Sequence, residues 1–187
     1  MLFRSRQGKA LYVGLSNYSG AQLAEAVRLT RELNLSPIVA TQVGYSMLRR
    51  GMEQDVLPVA RDLGMGVVAF SPLAQGLLSP KYLTGVPDGS RAARSWTAAQ
   101  REGLTPALRE RLRQLNEIAK TRGQTLPQMA IAWTLRVPEV TSALIGASEV
   151  DQLEENAKAL QQMSFTDDEL VRIDSILRGT VPSQAAD

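Results

Sequence analysis

The stretch VTSALIGASEVDQLEEN, residues 140–156, contains the change of pattern on which the fold prediction rests. Its first part is rich in apolar and β-branched residues, which is typical of a buried strand. Gly146 ends this run, and a helix is predicted from about residue 149. A buried strand that runs into a helix is the repeating unit of a parallel sheet with helical crossovers. The free N–H groups at the start of such a helix favour a bound anion.

The same alternation occurs three more times earlier in the chain. Strands are predicted at KALYVGLSN, PIVATQ and MGVVAF, and helices at about 20–33 and 52–63. Four strand–helix units with buried strands predict an α/β fold with a parallel sheet. An open doubly wound sheet and part of a (β/α)8 barrel both fit this pattern. No glycine-rich dinucleotide fingerprint follows any strand, which argues against the Rossmann type.

The rest of the chain is predicted to contain loops, further helices and a tail. A long polar loop covers about 71–103, and a flexible tail covers about 180–187. Further helices are predicted at about 105–120, 125–136, 149–160 and 166–178. Three of the predicted helices begin with capping-box spacing, at Ser19/Gln22, Thr125/Gln128 and Thr166/Glu169. We predict one domain over residues 1–187.

Composition excludes several classes of function. Net charge is +2 over 187 residues, so charge alone does not indicate a nucleic-acid partner. The chain has no cysteine and no histidine, which removes disulfides, thiolate sites and the commonest metal ligand and general base. We predict no metal site. No apolar run approaches the ~20 residues of a membrane span, so a cytoplasmic protein without a membrane span is expected.

Four motifs together resemble those of the aldo-keto reductases. They are GKALYVGLSNYS, QVGYSML, VVAFSPLAQGLLSPKYLTGVPDGSRA and VTSALIGASEVDQLEEN. The resemblance is greatest to the branch with bacterial L-glyceraldehyde-3-phosphate reductases and potassium-channel β-subunits. It implies a (β/α)8 barrel that binds NADP(H), of which this chain is similar to the C-terminal half, from the fifth strand onward. A complete barrel needs ~250 residues, more than this chain provides.

The resemblance implies contacts with the nicotinamide end of the cofactor at three strand ends. Ser16, Asn17 and Gln42 are expected to hydrogen-bond the carboxamide, which needs both donors and acceptors. Phe70 is expected to stack on the nicotinamide ring. The alternatives are turn or barrel-rim residues for the polar positions and an ordinary core residue for Phe70. Tyr45 is expected to be structural or to face the substrate.

The resemblance also implies a phosphate-binding segment after the third strand. The residues expected to line the pyrophosphate are Ser71, Pro72, Leu73, Gln75 and Gly76. Lys81 and Arg91 are expected to contact the cofactor phosphates and to close the loop over them. The alternative for these two is a pair of solvated surface cations.

The opening stretch matches the adenosine end of the family's cofactor site. Gly146, Ser148 and Gln152 are expected to hold the 2′-phosphate, and Glu155 and Asn156 to recognise the adenine. The alternative is an ordinary amphipathic helix with Ser148 as its N-cap. Between residues 136 and 158 the sequence has no Lys or Arg, which leaves the choice between NADP(H) and NAD(H) open.

The family's catalytic Asp, Tyr, Lys and His lie on the barrel half that this chain does not match. Lys9 and Tyr12 fall on the amino-terminal side of a strand and are no substitutes, so we predict no catalytic residue. We therefore expect the C-terminal part of a reductase of small aldehydes and ketones that is inactive alone, from a truncated or split gene. The open sheet edges predict a homo-oligomer or pairing with the missing N-terminal half. A non-catalytic NADP(H)-binding regulatory subunit and a non-functional gene fragment are the alternatives.

Overall fold

The strands of the described residues form one parallel sheet. The structure, a computed structural model, describes residues 2–86, 88, 93, 94, 97 and 103–179. Its strands are β1 (Val13–Ser16), β2 (Ile38–Gly44), β3 (Gly66–Phe70) and β4 (Val140–Leu144). They lie in the order β1-β2-β3-β4 and every neighbouring pair is parallel. The predicted α/β fold with four parallel strands is confirmed.

Helices connect the strands and continue beyond them. The α-helices are α1 (Leu2–Arg6), α2 (Gly20–Glu32), α3 (Met52–Asp62), α4 (Pro106–Thr121), α5 (Leu126–Leu135), α6 (Val150–Ala157) and α7 (Asp167–Arg178). Short 3-10 turns occur at Ala74–Gly76, Pro80–Tyr82 and Lys158–Gln161. Within the described ranges, no helix combines the length and apolar character that a membrane span requires.

The described residues form two compact units. The first lies within Met1–Pro72 and Thr134–Gly146 and contains the sheet together with α2 and α3. The second lies within Leu73–Trp133 and Ala147–Asp187 and contains α4, α6 and α7. The boundary crosses α5 between Trp133 and Thr134.

The register of the sheet separates a helix-covered face from a more exposed one. Because side chains alternate along a strand and register partners share a face, each row across the sheet projects to one side. The rows Leu15–Thr41–Val67 and Val43–Ala69–Ala143 are mostly buried, and α3 packs against β2 and β3. The opposite rows, which we call the open face, are largely half-buried or exposed. The open-face rows at the carboxyl end are Ser16–Gln42–Val68–Ser142 and Gly44–Phe70–Leu144.

Close contact between α2 and α3 depends on a glycine in the first unit. The capping box at Ser19 and Gln22 forms as predicted, with bonds of 2.9 and 3.3 Å, and such caps contribute about 1 kcal/mol. Gly20 follows, and its N–H donates to Asp55 Oδ1 at 3.0 Å. A Cβ at Gly20 would clash with the Asp55 backbone oxygen and lie 3.0 Å from Val59 Cγ2. The absence of a side chain therefore allows this helix approach.

A buried arginine joins the end of α4 to the start of α7 in the second unit. Arg122 donates to Glu169 Oε2 at 2.6 Å, to the Ser164 carbonyl at 2.9 Å and to Gln124 Oε1 at 2.9 Å. Its guanidinium carbon also lies 3.8 Å from the centroid of the Phe165 ring. The charge is thus buried together with its partners, which is the condition under which a buried charge is tolerated.

Candidate functional site

Ser16, Asn17 and Gln42 lie together at the carboxyl ends of β1 and β2. Ser16 and Gln42 are register partners on the open face. The Asn17 N–H donates to the Gln42 carbonyl at 2.9 Å, and its Nδ2 lies 3.4 Å from Ser16 Oγ. Over the described ranges, the half-buried Gln42 side-chain amide has no hydrogen-bond partner. This group presents a hydroxyl and two amides, the donors and acceptors that a primary amide ligand can pair with.

Phe70 occupies the next open-face row, one strand further along. It is half-buried and lies between Gly44 and Leu144 in the register. The Arg49 guanidinium carbon lies 6.0 Å from the centroid of its ring. A Cβ at Gly44 would come within 3.2 Å of Phe70 Cζ, so the glycine leaves the ring edge uncovered by β2. The ring is therefore available on the same face as Gln42.

Left-handed backbone is concentrated at the predicted cofactor positions. Among the described non-glycine residues, positive φ occurs at Asn17, Ser71, Ala74 and Gln75, with Asn34 as a further example. The first four follow the carboxyl ends of β1 and β3. Such conformations are uncommon for residues with a Cβ and cluster at binding sites, where the surrounding structure holds them.

In the second unit, the segment after β3 folds into a tight turn. Gly76, with φ of 97°, donates to the Leu73 carbonyl at 2.9 Å, and the Ser79 hydroxyl donates to the Gly76 carbonyl at 2.6 Å. A Cβ at Gly76 would lie 3.3 Å from Tyr82 Cε2, so little room exists for a side chain. The Lys81 side chain is exposed on the following 3-10 turn. The predicted phosphate contact Arg91 lies outside the described residues.

Ser148 is not the N-cap of α6, which was the alternative role considered for it. The N-cap residue is Glu149, which makes no side-chain cap bond, and the helix begins at Val150. Ser148 instead donates from its N–H and its hydroxyl to Gln152 Oε1, at 3.0 and 3.3 Å. Ser148 and Gln152 are therefore in contact and exposed, and Gln152 Oε1 engages both Ser148 donors. Gly146 is an exposed residue of the first unit.

The family model for the aldo/keto reductase family matches residues 4–178. The chain belongs to this family. Its four-stranded parallel sheet with helices is consistent with part of the family barrel. The predicted resemblance is confirmed.

Similar aldo-keto reductases include two bacterial enzymes and one fungal protein. The chain is 44% identical over 175 residues to L-glyceraldehyde 3-phosphate reductase of Escherichia coli K12, with 90% of the chain and 50% of that relative covered. The protein of the same name from E. coli O157:H7 is 43% identical over the same shares. A putative voltage-gated potassium channel subunit beta of Schizosaccharomyces pombe is 37% identical over 180 residues, 94% of the chain and 52% of that relative. The chain thus spans about half the length of these curated relatives.

The residues predicted to recognise the adenine, Glu155 and Asn156, lie on α6 in the second unit of this aldo-keto reductase chain. Exposed Glu155 accepts from Gln128 Nε2 at 3.2 Å and pairs with Lys158, which raises the pKa of Lys158. Asn156 is only 4% exposed, and in the described part of the chain its Nδ2 has no hydrogen-bond partner. Glu155 and Lys158 also line an open cavity of about 390 Å³. Glu155 is thus accessible to a ligand, whereas Asn156 points its unsatisfied amide into the interior.

Neither Tyr12 nor Tyr45 is placed to donate a proton to a ligand at the carboxyl end of the sheet. Tyr12 precedes β1 at the amino end of the sheet and is 76% exposed. Tyr45 is fully buried, donates to Glu53 Oε1 at 2.6 Å and accepts from Arg136 Nη1 at 2.9 Å. Burial, together with the hydrogen bond to Glu53, raises the pKa of Tyr45 far above its ordinary value, despite the opposing effect of Arg136. Of the two roles expected for Tyr45, this network supports the structural one.

Sequence reasoning missed two open-face neighbours of the predicted site. Ser142 joins the row of Ser16 and Gln42 through Val68, and Arg49 approaches Phe70 from the loop after β2. Ser142 lies within the stretch used to predict β4, but only the register shows which face it occupies. The pattern of strands and helices does not predict that Arg49 lies beside Phe70, because its position depends on the turn after β2.

Proposed function

We propose that the chain binds NADP(H) and supplies the cofactor-binding half of a reductase that converts small aldehydes or ketones to alcohols. The observation that carries this proposal is the common position of Ser16, Gln42 and Phe70 on the open face at the carboxyl end of the sheet. Ligands of parallel α/β barrels bind at this end. Family membership supports the same cofactor. Glyceraldehyde 3-phosphate or methylglyoxal is the proposed kind of substrate.

In this proposal, the open-face residues orient one flat ligand. The amides of Asn17 and Gln42 and the Ser16 hydroxyl bind the nicotinamide carboxamide through paired donors and acceptors. Phe70 supplies an apolar ring surface that fixes the orientation of the nicotinamide plane. When bound, the cofactor supplies the hydride for carbonyl reduction. The protein's part is therefore to position and orient, which accounts for the held, left-handed backbone at Asn17.

The phosphates and the adenosine are assigned to residues of the second unit and the segments that lead into it. We propose that Ser71, Pro72, Leu73, Gln75 and Gly76 line the pyrophosphate. Lys81 and Arg91 supply positive charge to the phosphates. Gly146, Ser148 and Gln152 bind the 2′-phosphate, while Glu155 and Asn156 recognise the adenine. Support comes from the exposure of Ser148, Gln152 and Glu155. Binding of the 2′-phosphate by Ser148 requires its two hydrogen bonds to Gln152 Oε1 to be exchanged for bonds to the ligand. Adenine recognition by Asn156 requires its buried side chain to turn outward.

The proposed reduction also needs a proton donor, and no residue of this chain is proposed for that role. The chain has no histidine, Tyr45 is held in a part-buried network and Tyr12 lies at the opposite end of the sheet. We propose that an N-terminal barrel half, in the same polypeptide or in another chain, supplies the donor. Strands β1 and β4 are the outer strands of the described sheet. Their edges are the proposed place of attachment, or of homo-oligomer contact.

Cofactor binding and catalysis can be tested separately on the purified 187-residue chain. Titration with NADPH, followed by nicotinamide fluorescence, is expected to show saturable binding. NADH, which lacks the 2′-phosphate, is expected to bind with lower affinity. No NADPH oxidation with methylglyoxal or glyceraldehyde 3-phosphate is expected. Adding a separately produced N-terminal half of the E. coli relative is expected to start oxidation. A chain that binds no NADPH while keeping a cooperative thermal transition would refute the proposed function.

A non-catalytic regulatory subunit remains the second candidate, and the similarity to the putative potassium channel subunit beta supports it. The two candidates share NADP(H) binding and differ only in turnover. If the complemented chain binds NADPH and never oxidises it with any small aldehyde, the regulatory role is favoured.

A further inference from the structure

Arg49 places a positive charge at the open face, next to the ring proposed to stack on nicotinamide. Its guanidinium carbon lies 6.0 Å from the Phe70 centroid, at the outer limit of a cation–π contact. The same group would meet a Cβ at Gly44, so it lies directly over the open-face side of that glycine. A charged group thus occupies a position within the row Gly44–Phe70–Leu144.

The backbone that carries Arg49 is fixed by a short turn. Ser46 N–H donates to the Arg49 carbonyl at 3.2 Å, and Arg49 N–H donates to the Ser46 carbonyl at 3.0 Å. The turn starts from buried Tyr45, Ser46 and Met47, which anchor it to the first unit. The Arg49 side chain is therefore presented from a held position, which lowers the ordering cost of binding a ligand.

Arg49 differs from the neighbouring arginines in having no protein anion. Arg50 donates to Glu53 Oε2 at 3.0 and 2.9 Å, and Arg136 donates to Tyr45 and pairs with Glu53 at 3.3 Å. By contrast, the described part of the chain offers the Arg49 guanidinium no hydrogen bond and no ion pair. Its five N–H donors form a planar fork that matches a phosphate or carboxylate.

We propose that Arg49 binds the phosphate or carboxylate group of an anionic carbonyl substrate, and thereby selects anionic over neutral substrates. This inference rests on the proposed function, because it takes the Phe70 side of the open face as the nicotinamide end, where the carbonyl reacts. Within the first unit, the Arg49 guanidinium carbon lies 6.0 Å from the centroid of the Phe70 ring, which is the ring proposed to stack on the nicotinamide. Because the carbonyl reacts beside the nicotinamide, the anion assigned to Arg49 is a group of the substrate.

The test uses the purified chain and glycerol 3-phosphate, with glycerol as its neutral counterpart. Backbone amide resonances of Gly44 and Ser46 and the Arg49 Nε–H resonance are followed by NMR during titration, without and with saturating NADPH. Glycerol 3-phosphate is expected to shift all three resonances saturably under both conditions, and glycerol to shift none. Arg49→Gln is expected to raise the half-saturating concentration roughly tenfold, since a charge-assisted fork is lost.

Two further variants separate position from charge. Gly44→Ala keeps the charge but adds a Cβ where the Arg49 head lies, so it is also expected to weaken binding. Arg31→Gln removes an exposed cation from α2 and is expected to leave binding unchanged. Thermal melting confirms that each variant is folded.

Three results would overturn the proposal. The first is that Arg49→Gln binds glycerol 3-phosphate as the parent does. The second is that Arg31→Gln weakens this binding as much as Arg49→Gln does. The third is that NADPH itself shifts the three resonances and abolishes the response to glycerol 3-phosphate. The last result would assign the anion to the cofactor. A chain that binds no NADPH but shows the Arg49-dependent phosphate response would refute the proposed function while supporting the anion contact.

Discussion

Ser16 and Gln42 are register partners across β1 and β2, so their side chains project from the same face at the carboxyl end of the sheet. The two residues are far apart in sequence, and only parallel pairing brings them together. The half-buried Gln42 amide lacks a partner in the described ranges and so retains its full hydrogen-bonding capacity for a ligand.

Replacement of that amide tests its proposed contact with the cofactor. We expect Gln42→Leu to raise the NADPH dissociation constant about tenfold, equivalent to about 1.4 kcal/mol, because an apolar side chain can pair with neither half of a carboxamide. Fluorescence titration measures the constant. Gln54→Leu, at an exposed position on α3, is the matched control and is expected to bind NADPH as the parent chain does. Equal affinity in Gln42→Leu and the parent would remove Gln42 from the site.

A substitution at Tyr45 tests whether its hydroxyl stabilises the fold or contacts the substrate. Tyr45→Phe removes the hydroxyl that joins Glu53 to Arg136 in a part-buried network. We expect the free energy of unfolding to fall by about 1–3 kcal/mol, because buried polar groups lose a partner. NADPH affinity is expected to stay within about twofold of the parent value, since no charge or shape on the open face changes.

The control for Tyr45 is the exposed Tyr12. Tyr12→Phe is expected to leave both the urea midpoint and NADPH affinity unchanged, because its side chain is 76% exposed. A Tyr45→Phe variant that is as stable as the parent but binds NADPH poorly would show that the hydroxyl serves the ligand and not the core.

The glycine between α2 and α3 gives a prediction on packing alone. Gly20→Ala places a Cβ against the Asp55 backbone oxygen, which cannot move as a flexible side chain would. We expect a loss of about 1–3 kcal/mol in the free energy of unfolding, measured by urea denaturation. Gly51→Ala is the control, since its φ is −54° and nothing lies within 4 Å of its Cβ position. It is expected to be neutral or stabilising by up to ~1 kcal/mol. Equal stability of the two variants would contradict the contact.

Local signals explain which elements could be predicted from the sequence. The helices that begin at Gly20, Leu126 and Asp167 follow capping boxes, whose two bonds form within four consecutive residues. The end of β3 at Phe70 was recognisable because the apolar run stops there, whereas β2 continues two residues beyond the predicted end at Gln42, to Gly44. These features depend on near neighbours in sequence, so a single chain is enough to reveal them.

Other features depend on contacts that the sequence pattern does not contain. Ser142 shares a row with Gln42 only through the register, which shifts between Val67 and Val68. Arg49 reaches Phe70 because Gly44 leaves room and the turn at Ser46 holds the loop. At α6, the Gln152 amide takes both Ser148 donors, and the N-cap position falls on Glu149. Competition between alternative hydrogen bonds decides such details.

The Arg122–Glu169 pair predicts a large effect from a change of one atom. Glu169→Gln removes the negative charge opposite the guanidinium of Arg122, whose side chain is only 2% exposed. We expect the free energy of unfolding to fall by about 3 kcal/mol at neutral pH, because the cation stays buried without its anion. Glu110→Gln breaks a pair with Arg113 whose side chains are both about half exposed, and is expected to cost less than ~0.5 kcal/mol.

The same pair predicts how stability changes in acid. Burial by itself would raise the pKa of Glu169, but the Thr166 N–H and the Arg122 guanidinium outweigh it and hold the pKa below the ordinary value. A carboxylate with a lowered folded pKa contributes stability that is fully present above its unfolded pKa, near ~4.3, and is lost as pH falls through the folded pKa. The stability difference between the parent and Glu169→Gln is therefore expected to be constant near neutrality and to shrink below about pH 4. Urea titrations across this range measure it. A difference that grows as pH falls would show that Glu169 is protonated more easily in the folded chain, against the observed pairing.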